Sequence, residues 1–191
     1  MITILKDETG EIVLYPSYFE KVDMLMELDQ FELRQESIVL FGKQVNQPRL
    51  SRLYGKAGTT YKYSGKLFEA LPWSGNLHAI AQNCSEICGV VFNTGLLNYY
   101  RDGNDSMGIH ADDEKELGRN PTIASVSFGT TRKMIFRKRD SKEKLIVPLN
   151  HGDLLVMKGT LQHHWKHELP KERKIGKDRL NITFRFVRTY L

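Results

Sequence analysis

At 191 residues, with 40% hydrophobic, 10% aromatic and 27% charged side chains, the chain has the make-up of one globular domain, which excludes collagen-like, mucin-like and disordered classes. Lys and Arg outnumber Asp and Glu by 28 to 23, a net charge of +5 that permits a polyanionic partner without implying one. No apolar run approaches the roughly 18 residues of a membrane span, and residues 1 to 8 lack the basic and apolar regions of a secretory signal.

In chain order, residues 1 to 15 read as short strands. Ser17 and Glu20 form an S-x-x-E capping box, and Phe19, Val22, Leu25 and Met26 follow at helical spacing, which predicts a helix there. Residues 37 to 45 look like a strand turning at Gly42. A polar stretch with Pro and Gly runs from 46 to 58. Residues 59 to 64 are extended by composition, with Tyr61 and Tyr63 on one face. Leu77, Ile80, Ala81, Cys84, Ile87 and Cys88 make one apolar stripe at helical spacing, and Gly89 stops that helix. The two cysteines are too few for a disulfide scaffold and read as reduced core thiols, which points to a reducing compartment.

After Gly89 the character changes. Residues 90–100, 123–128, 134–137, 145–149, 153–157 and 180–187 are short β-rich runs separated by turn signals at Asp102-Gly103, Gly129, Asp140-Ser141, Asn150-His151-Gly152 and Gly159. Many short strands divided in this way predict a mainly β fold, a sandwich, barrel or jelly roll. A soft boundary falls between a mixed α/β part, residues 1–88, and an all-β part, residues 89–191.

Three clusters carry chemistry. His110-Ala111-Asp112 places an imidazole and a carboxylate two residues apart, on one side of an extended chain. One further histidine would complete two histidines and a carboxylate on one face of an octahedral metal, leaving three positions open, as non-haem Fe(II) oxygenases require. Alone, His-x-Asp is more often a solvated loop. His163-His164-Trp165-Lys166-His167 can supply that ligand, and sequence alone leaves open which histidine does so. The third cluster is the strictly alternating run from Arg179 to Phe186. Arg179, Asn181, Thr183 and Arg185 share one face; Leu180, Ile182, Phe184 and Phe186 share the other. An ordinary strand with a solvated polar face would look the same. As a pocket wall, the strand would hold its two guanidiniums about 20 Å apart, at ~3.3 Å per residue. They would sit at opposite ends of a site holding a small dicarboxylate and the metal's carboxylate ligand, since the guanidinium fork pairs bidentately with carboxylates.

Five motifs then stand in a telling order. They are Asn98-Tyr99-Tyr100-Arg101-Asp102-Gly103, His110-Ala111-Asp112-Asp113-Glu114, Ile123-Ala124-Ser125-Val126-Ser127-Phe128-Gly129, His164-Trp165-Lys166-His167-Glu168-Leu169-Pro170, and Arg179-Leu180-Asn181-Ile182-Thr183-Phe184-Arg185. Over residues 90 to 187 the chain resembles the AlkB family of Fe(II)/2-oxoglutarate-dependent nucleic-acid demethylases, and most of all the branch containing the eukaryotic duplex-DNA repair enzymes. A weaker match reaches back through Phe41-Gly42-Lys43, Pro48-Arg49 and 61–65. The resemblance implies a double-stranded β-helix (jelly roll) with an N-terminal α/β nucleotide-recognition lid. It implies that His110, Asp112 and His167 bind Fe(II) and form the catalytic centre, His167 being the histidine before Leu-Pro in the family pattern. Asn98, Tyr100, Arg179, Thr183 and Arg185 would hold 2-oxoglutarate. Asp113 would meet the amino group of the damaged base, Tyr61 and Tyr63 would flank that base with Lys62 between them, and Phe41, Gly42 and Lys43 would form a hairpin tip that probes the duplex.

The expected activity is oxidative demethylation of 1-methyladenine and 3-methylcytosine in DNA, with Fe(II), 2-oxoglutarate and O2, releasing formaldehyde, succinate and CO2. The alternatives are an RNA demethylase or protein hydroxylase with the same cofactors, or a non-catalytic nucleic-acid-binding jelly roll; the intact His110, Asp112, His167, Arg179 and Arg185 set argues against the last. The expected partner is DNA, with RNA second. The protein is expected to be a monomer, off the membrane and intracellular, cytoplasmic or nucleoid/nuclear, not secreted. Basic residues lie where a backbone would run, at Arg137, Lys138, Arg139, Lys142 and Lys144 and at Lys171, Arg173, Lys174 and Lys177. The chain departs from the family pattern at Glu168, at Lys62, and in a shorter loop around residues 139–144.

Overall fold

The computed structural model describes residues 1–40, 43–63 and 66–188, with side chains undescribed at 38–40, 62, 63 and 66. Its strands and helices are β1 (Ile2–Asp7), β2 (Gly10–Tyr15), β3 (Ser37–Leu40), β4 (Lys43–Asn46), β5 (Leu50–Gly55), β6 (Thr60–Tyr63), β7 (Lys66–Glu69), β8 (Leu71–Pro72), α1 (Gly75–Cys88), β9 (Thr94–Tyr100), β10 (Met107–His110), β11 (Ile123–Gly129), β12 (Arg132–Lys138), β13 (Lys144–Leu149), β14 (Leu154–Lys158), α2 (Leu161–His164), β15 (Trp165–Leu169) and β16 (Arg179–Arg185). Eight strands form a large sheet in the order β1-β2-β14-β11-β16-β9-β5-β8, and four form a smaller one, β10-β15-β12-β13. Only the short β5–β8 pair within the large sheet is parallel. Two hairpins, β3–β4 and β6–β7, stand apart from both sheets. The two facing sheets, antiparallel but for that short pair, are the double-stranded β-helix.

Period-two patterning sets the layers. On β2 and β14, Ile12, Leu14, Leu155 and Met157 point between the sheets and meet Phe136, Val147, Leu149 and Trp165 of the smaller sheet and its approach. Val13, Leu154 and Val156 point the other way, as do Leu180, Ile182 and Phe184 of β16. That outer face is covered by Leu77, Ile80, Ala81 and Cys84 of α1, the apolar stripe predicted for it, and Gly89 caps the helix at a left-handed φ of 65°. Cys84 and Cys88 are free thiols. The space between the sheets therefore has an apolar end, at β2 and β14, and a polar end, where β16 turns its arginine face inward.

Two local expectations are corrected, and a stretch given no element gains a strand. The helix after Ser17 does not form: Ser17 adopts φ 51°, its N–H donates to Asp153 Oδ1 at 2.8 Å, and Phe19 N–H donates to the Gly152 carbonyl at 2.9 Å. These contacts bind the segment to the β13–β14 turn, and winding begins only in a 3-10 segment, Met24–Gln30, where the Asp23 side chain accepts from Leu25 N–H. The polar stretch 46–58 contains β5, which pairs with β9 on the side of the sheet's centre and with β8 at its edge. Phe186 lies past the end of β16 and is exposed, so the apolar face ends at Phe184. The large sheet takes β1, β2, β5 and β8 from residues 1–88 and β9, β11, β14 and β16 from the rest.

Candidate metal and cosubstrate site

β10 and β15 are antiparallel neighbours, and their register sets His110 opposite His167, with ring centroids 4.3 Å apart. Asp112 lies just past the end of β10. His110 Nε2 is 3.8 Å from Asp112 Oδ1, and His167 Nε2 is 3.9 Å from Asp112 Oδ2. The donor atoms of the three residues all lie within 4.8 Å of one another. Strand alternation alone does not bring Asp112 inward, because the strand stops at His110. The Asp112 N–H donates instead to Gln162 Oε1 at 2.9 Å, a buried side chain of α2. His110 Nδ1 hydrogen-bonds with the Gly108 carbonyl at 2.9 Å, which leaves Nε2 to face the carboxylate.

The electrostatics suit ligands rather than a plain ion-pair cluster. Burial lowers both histidines, His167 to about 3 with help from the neighbouring His110, so both rings stay neutral and their nitrogen lone pairs remain available. Burial on its own raises the Asp112 carboxyl, but the carboxyl lies at about 2, with the Arg185 guanidinium the largest opposing influence. Arg185 Nη2 donates to Asp112 Oδ1 at 2.7 Å. Asp112 Oδ2 is buried and has no hydrogen-bond partner among the described residues. An orphaned anionic oxygen facing neutral imidazoles is what a divalent cation would satisfy.

β16 lies between β11 and β9, so its inward face is built against serines and an asparagine. Arg179 Nη2 donates to Ser127 Oγ at 2.9 Å, and its guanidinium carbon lies 5.4 Å from the Tyr100 ring centroid. Asn181 Nδ2 donates to Ser125 Oγ at 2.8 Å, and Thr183 Oγ1 donates to Asn181 Oδ1 at 3.0 Å. Asn98 stands opposite Asn181 and accepts from Arg49 Nε at 2.8 Å. Arg179 and Arg185 thus occupy opposite ends of one wall, Arg185 on the metal-ligand side. The cleft between them is also lined by Tyr100, Met107, Met134 and Met157. Burial, aided by Arg132, lowers Arg179 to about 10, still a cation at neutral pH, and its Nε has no partner among the described residues. A small dicarboxylate fits that donor set.

The other residues singled out from sequence divide. Tyr61 is buried, with its ring centroid 5.8 Å from the Arg185 guanidinium carbon. Asp113 is exposed and pairs with Arg139 at 2.8 Å. Lys43 is exposed on β4. Phe41 and Gly42 lie outside the described residues, as do the side chains of Lys62 and Tyr63. His163 sits on α2 with Nε2 3.0 Å from Asn120 Oδ1, outside the cluster. Glu168 takes an exposed arginine, Arg137, at 2.8 Å. Sequence reasoning missed Gln162, Arg132 and the place of Arg49. Arg132 is fully buried and donates to the carbonyls of Asp102, Asp105 and Pro170 and to Glu172 Oε1. No spacing rule marks such residues, and their polar neighbours, Thr160, His163 and His164 around Gln162 and Thr131 and Lys133 around Arg132, give no signal.

A jelly roll that holds two neutral histidines and a carboxylate between its sheets, beside buried arginines, defines the class of non-haem Fe(II) oxygenases. The model of the 2OG-Fe(II) oxygenase superfamily matches residues 17–185. DNA oxidative demethylase ALKBH2 of Homo sapiens is 40% identical over 167 residues, 83% of this chain and 64% of that protein. The Mus musculus ALKBH2 is 38% identical over 171 residues, 85% of this chain and 72% of that one. Alpha-ketoglutarate-dependent dioxygenase alkB homolog 3 of Homo sapiens is 34% identical over 200 residues, 97% and 69%. The solved structure of OsALKBH1 superposes with a TM-score of 0.68 at 15% identity, covering 96% of this chain and 99% of that one, a likeness of fold. The chain belongs to the AlkB family of the 2OG-Fe(II) oxygenases. It spans between 60% and 72% of the length of the human, mouse and bovine ALKBH2 proteins.

Proposed function

We propose that the protein demethylates N-alkylated bases, 1-methyladenine and 3-methylcytosine, in DNA, using Fe(II), 2-oxoglutarate and O2. The observation that carries this is the juxtaposition of the His110–Asp112–His167 cluster with the Arg179–Arg185 wall in one cleft, in a chain whose relatives include DNA oxidative demethylases. His110, Asp112 and His167 would hold the iron. Arg179 would take the far carboxylate of 2-oxoglutarate, with Tyr100 and Asn98 beside it and Thr183 along the wall. Arg185 would steady Asp112 and neutralise charge at the metal end. When bound, the cofactors supply the oxidation that converts the N-methyl group to N-hydroxymethyl, which leaves as formaldehyde while 2-oxoglutarate ends as succinate and CO2.

The chain's own residues orient and shield. Met107, Met134 and Leu169 line the cleft with apolar surface that limits water. Because Asp112 and His167 are buried between two sheets, with His110 half-buried beside them, a stacked base cannot reach the cluster and must leave the helix. Asp113 would accept from the exocyclic amino group of the flipped base, Tyr61 and Tyr63 would flank it, and the hairpin tip at Phe41, Gly42 and Lys43 would fill the gap left behind. In this reading residues 1–88 supply the recognition hairpins and 89–191 the metal and cosubstrate residues. The protein acts as an intracellular monomer on DNA, with RNA as the rival substrate. Among the described residues no helix is long and apolar enough to cross a membrane.

The test is mass spectrometry of methylated DNA and RNA oligonucleotides incubated with protein, Fe(II) and 2-oxoglutarate. Loss of the methyl mass from 1-methyladenine and 3-methylcytosine in DNA, with stoichiometric succinate, is expected. Succinate formed without change in any base would overturn the substrate.

A further inference from the structure

Arg139 follows directly on β12, at the basic edge of the β12–β13 hairpin. Its backbone N–H donates to the His164 carbonyl at 2.8 Å. One nitrogen of its side chain, Nη2, reaches two acceptors: Asp113 Oδ2 at 2.8 Å and the Gln162 carbonyl at 3.1 Å. Gln162 in turn accepts the Asp112 N–H through its side chain. A single guanidinium therefore ties the residue after the metal-ligand candidate to the element that positions that ligand.

We infer that Arg139 is a specificity-determining residue: it fixes the Asp113 carboxylate as an oriented acceptor, and so selects bases that present an amino group at purine C6 or pyrimidine C4, beside the N-methyl group. This rests on the proposed function and goes beyond it, because it names what discriminates among methylated bases. In 1-methyladenine and 3-methylcytosine the exocyclic group at purine C6 or pyrimidine C4, beside the N-methyl group, is an amino donor. In 1-methylguanine and 3-methylthymine the group at that same position is a carbonyl oxygen, which a fixed carboxylate repels; the amino group of 1-methylguanine is at C2, on the other side of the methyl group. A carboxylate free to rotate would turn away from that oxygen and discriminate less; one oxygen pinned by Arg139 leaves the other a defined direction. The ion pair itself contributes little to folding, since both partners are partly exposed, at 30% and 52% of their side-chain surface. Its geometry is the feature that selection would act upon.

Arg139 also borders a groove with Arg137, Lys138, Lys142 and Lys166, so the competing role is a plain phosphate contact. The experiment measures kcat/KM on single-stranded DNA oligonucleotides carrying each of the four lesions, for the wild type, Arg139→Gln, Arg139→Lys, Asp113→Asn and the Arg139→Gln/Asp113→Asn double variant, at two salt concentrations. Arg139→Gln should lower the ratio of amino-bearing to carbonyl-bearing lesions about tenfold, the size of one oriented hydrogen bond to a charged group. Arg139→Lys, which keeps a cation beside Asp113, should recover most of the ratio, and the double variant should show no further loss beyond Asp113→Asn. An equal loss on all four lesions, with the salt dependence reduced by about one unit, would make Arg139 a phosphate contact and overturn the inference. A ratio unchanged in Arg139→Gln with wild-type melting temperature would overturn it too. A wild type that turns over none of the four lesions would overturn the function itself, whereas a wild-type preference that survives Arg139→Gln overturns only the role of Arg139.

Discussion

Asp112 is the side chain on which the site turns. It is fully buried, it faces both histidines, and it accepts a hydrogen bond from the buried guanidinium of Arg185. Asp112→Ala should therefore do two things at once. It should abolish tight Mn(II) binding, since two imidazoles in an open site hold a divalent ion poorly, and it should destabilise the metal-free fold by roughly 3–5 kcal/mol, because Arg185 is left charged and unpaired inside the protein. Calorimetric Mn(II) titration and thermal melting read the two effects separately. His163→Ala, remote from the cluster, should keep wild-type Mn(II) affinity; its loss in that variant together with retention in His167→Ala would reverse the choice of ligand. That choice came from the position before Leu-Pro and not from any property of the histidines themselves. A run of three histidines in five residues is ambiguous until register sets one of them opposite His110.

At the scale of elements, α2 is only four residues long, yet it holds the loop that carries Asp112. Gln162→Leu removes the acceptor for the Asp112 N–H and leaves that donor buried, so the carboxylate loses its fixed direction. Metal affinity should fall by about 10- to 100-fold, the usual cost of an outer-shell partner, while Gln162→Glu, which retains an acceptor oxygen, should recover part of it. Mn(II) titration checks this without turnover, and equal affinities in all three proteins would refute it. Such a link is illegible in sequence, because Asp112 and Gln162 are 50 residues apart and no periodicity joins them. The alternation of β16 was legible because a strand between two neighbours must divide its side chains by face, and here four polar residues lie on the face that lines the cleft. The segment after Ser17 misled for the opposite reason: its capping box and apolar spacing were sound local signals, but Asp153 and Gly152 take its first backbone donors. β5 was hidden by its composition, since Ser51 and the adjoining Arg49 are buried polar groups that pair inside the protein.

For the whole molecule, the change of character near residue 89 marks where the chemistry-bearing residues begin; the large sheet runs across it. β2 pairs with β14, joining residues 10–15 to 154–158, and β5 pairs with β9, joining 50–55 to 94–100. One buried cluster likewise contains Val13, Phe19, Met24, Phe31 and Tyr54 together with Ala124, Val156, Ile182 and Phe184. A fragment of residues 89–191 would retain every proposed metal and 2-oxoglutarate residue. It would also expose two long strand edges, at β14 and β9, and strip the cover from the outer face of β16. Open, apolar-flanked edges recruit other chains, and a face that has lost α1 and the N-terminal turns no longer buries enough surface to offset the entropy of ordering. The fragment should therefore be insoluble or lack dispersed amide resonances, and it should bind Mn(II) far more weakly than the full chain. Co-expression with residues 1–88 as a separate chain should restore a folded complex, because the missing contacts are sheet pairings and packing that need no covalent link. A well-dispersed amide spectrum from 89–191 alone, with full-chain Mn(II) affinity, would show that the catalytic strands form a domain of their own and that residues 1–88 are an appended lid.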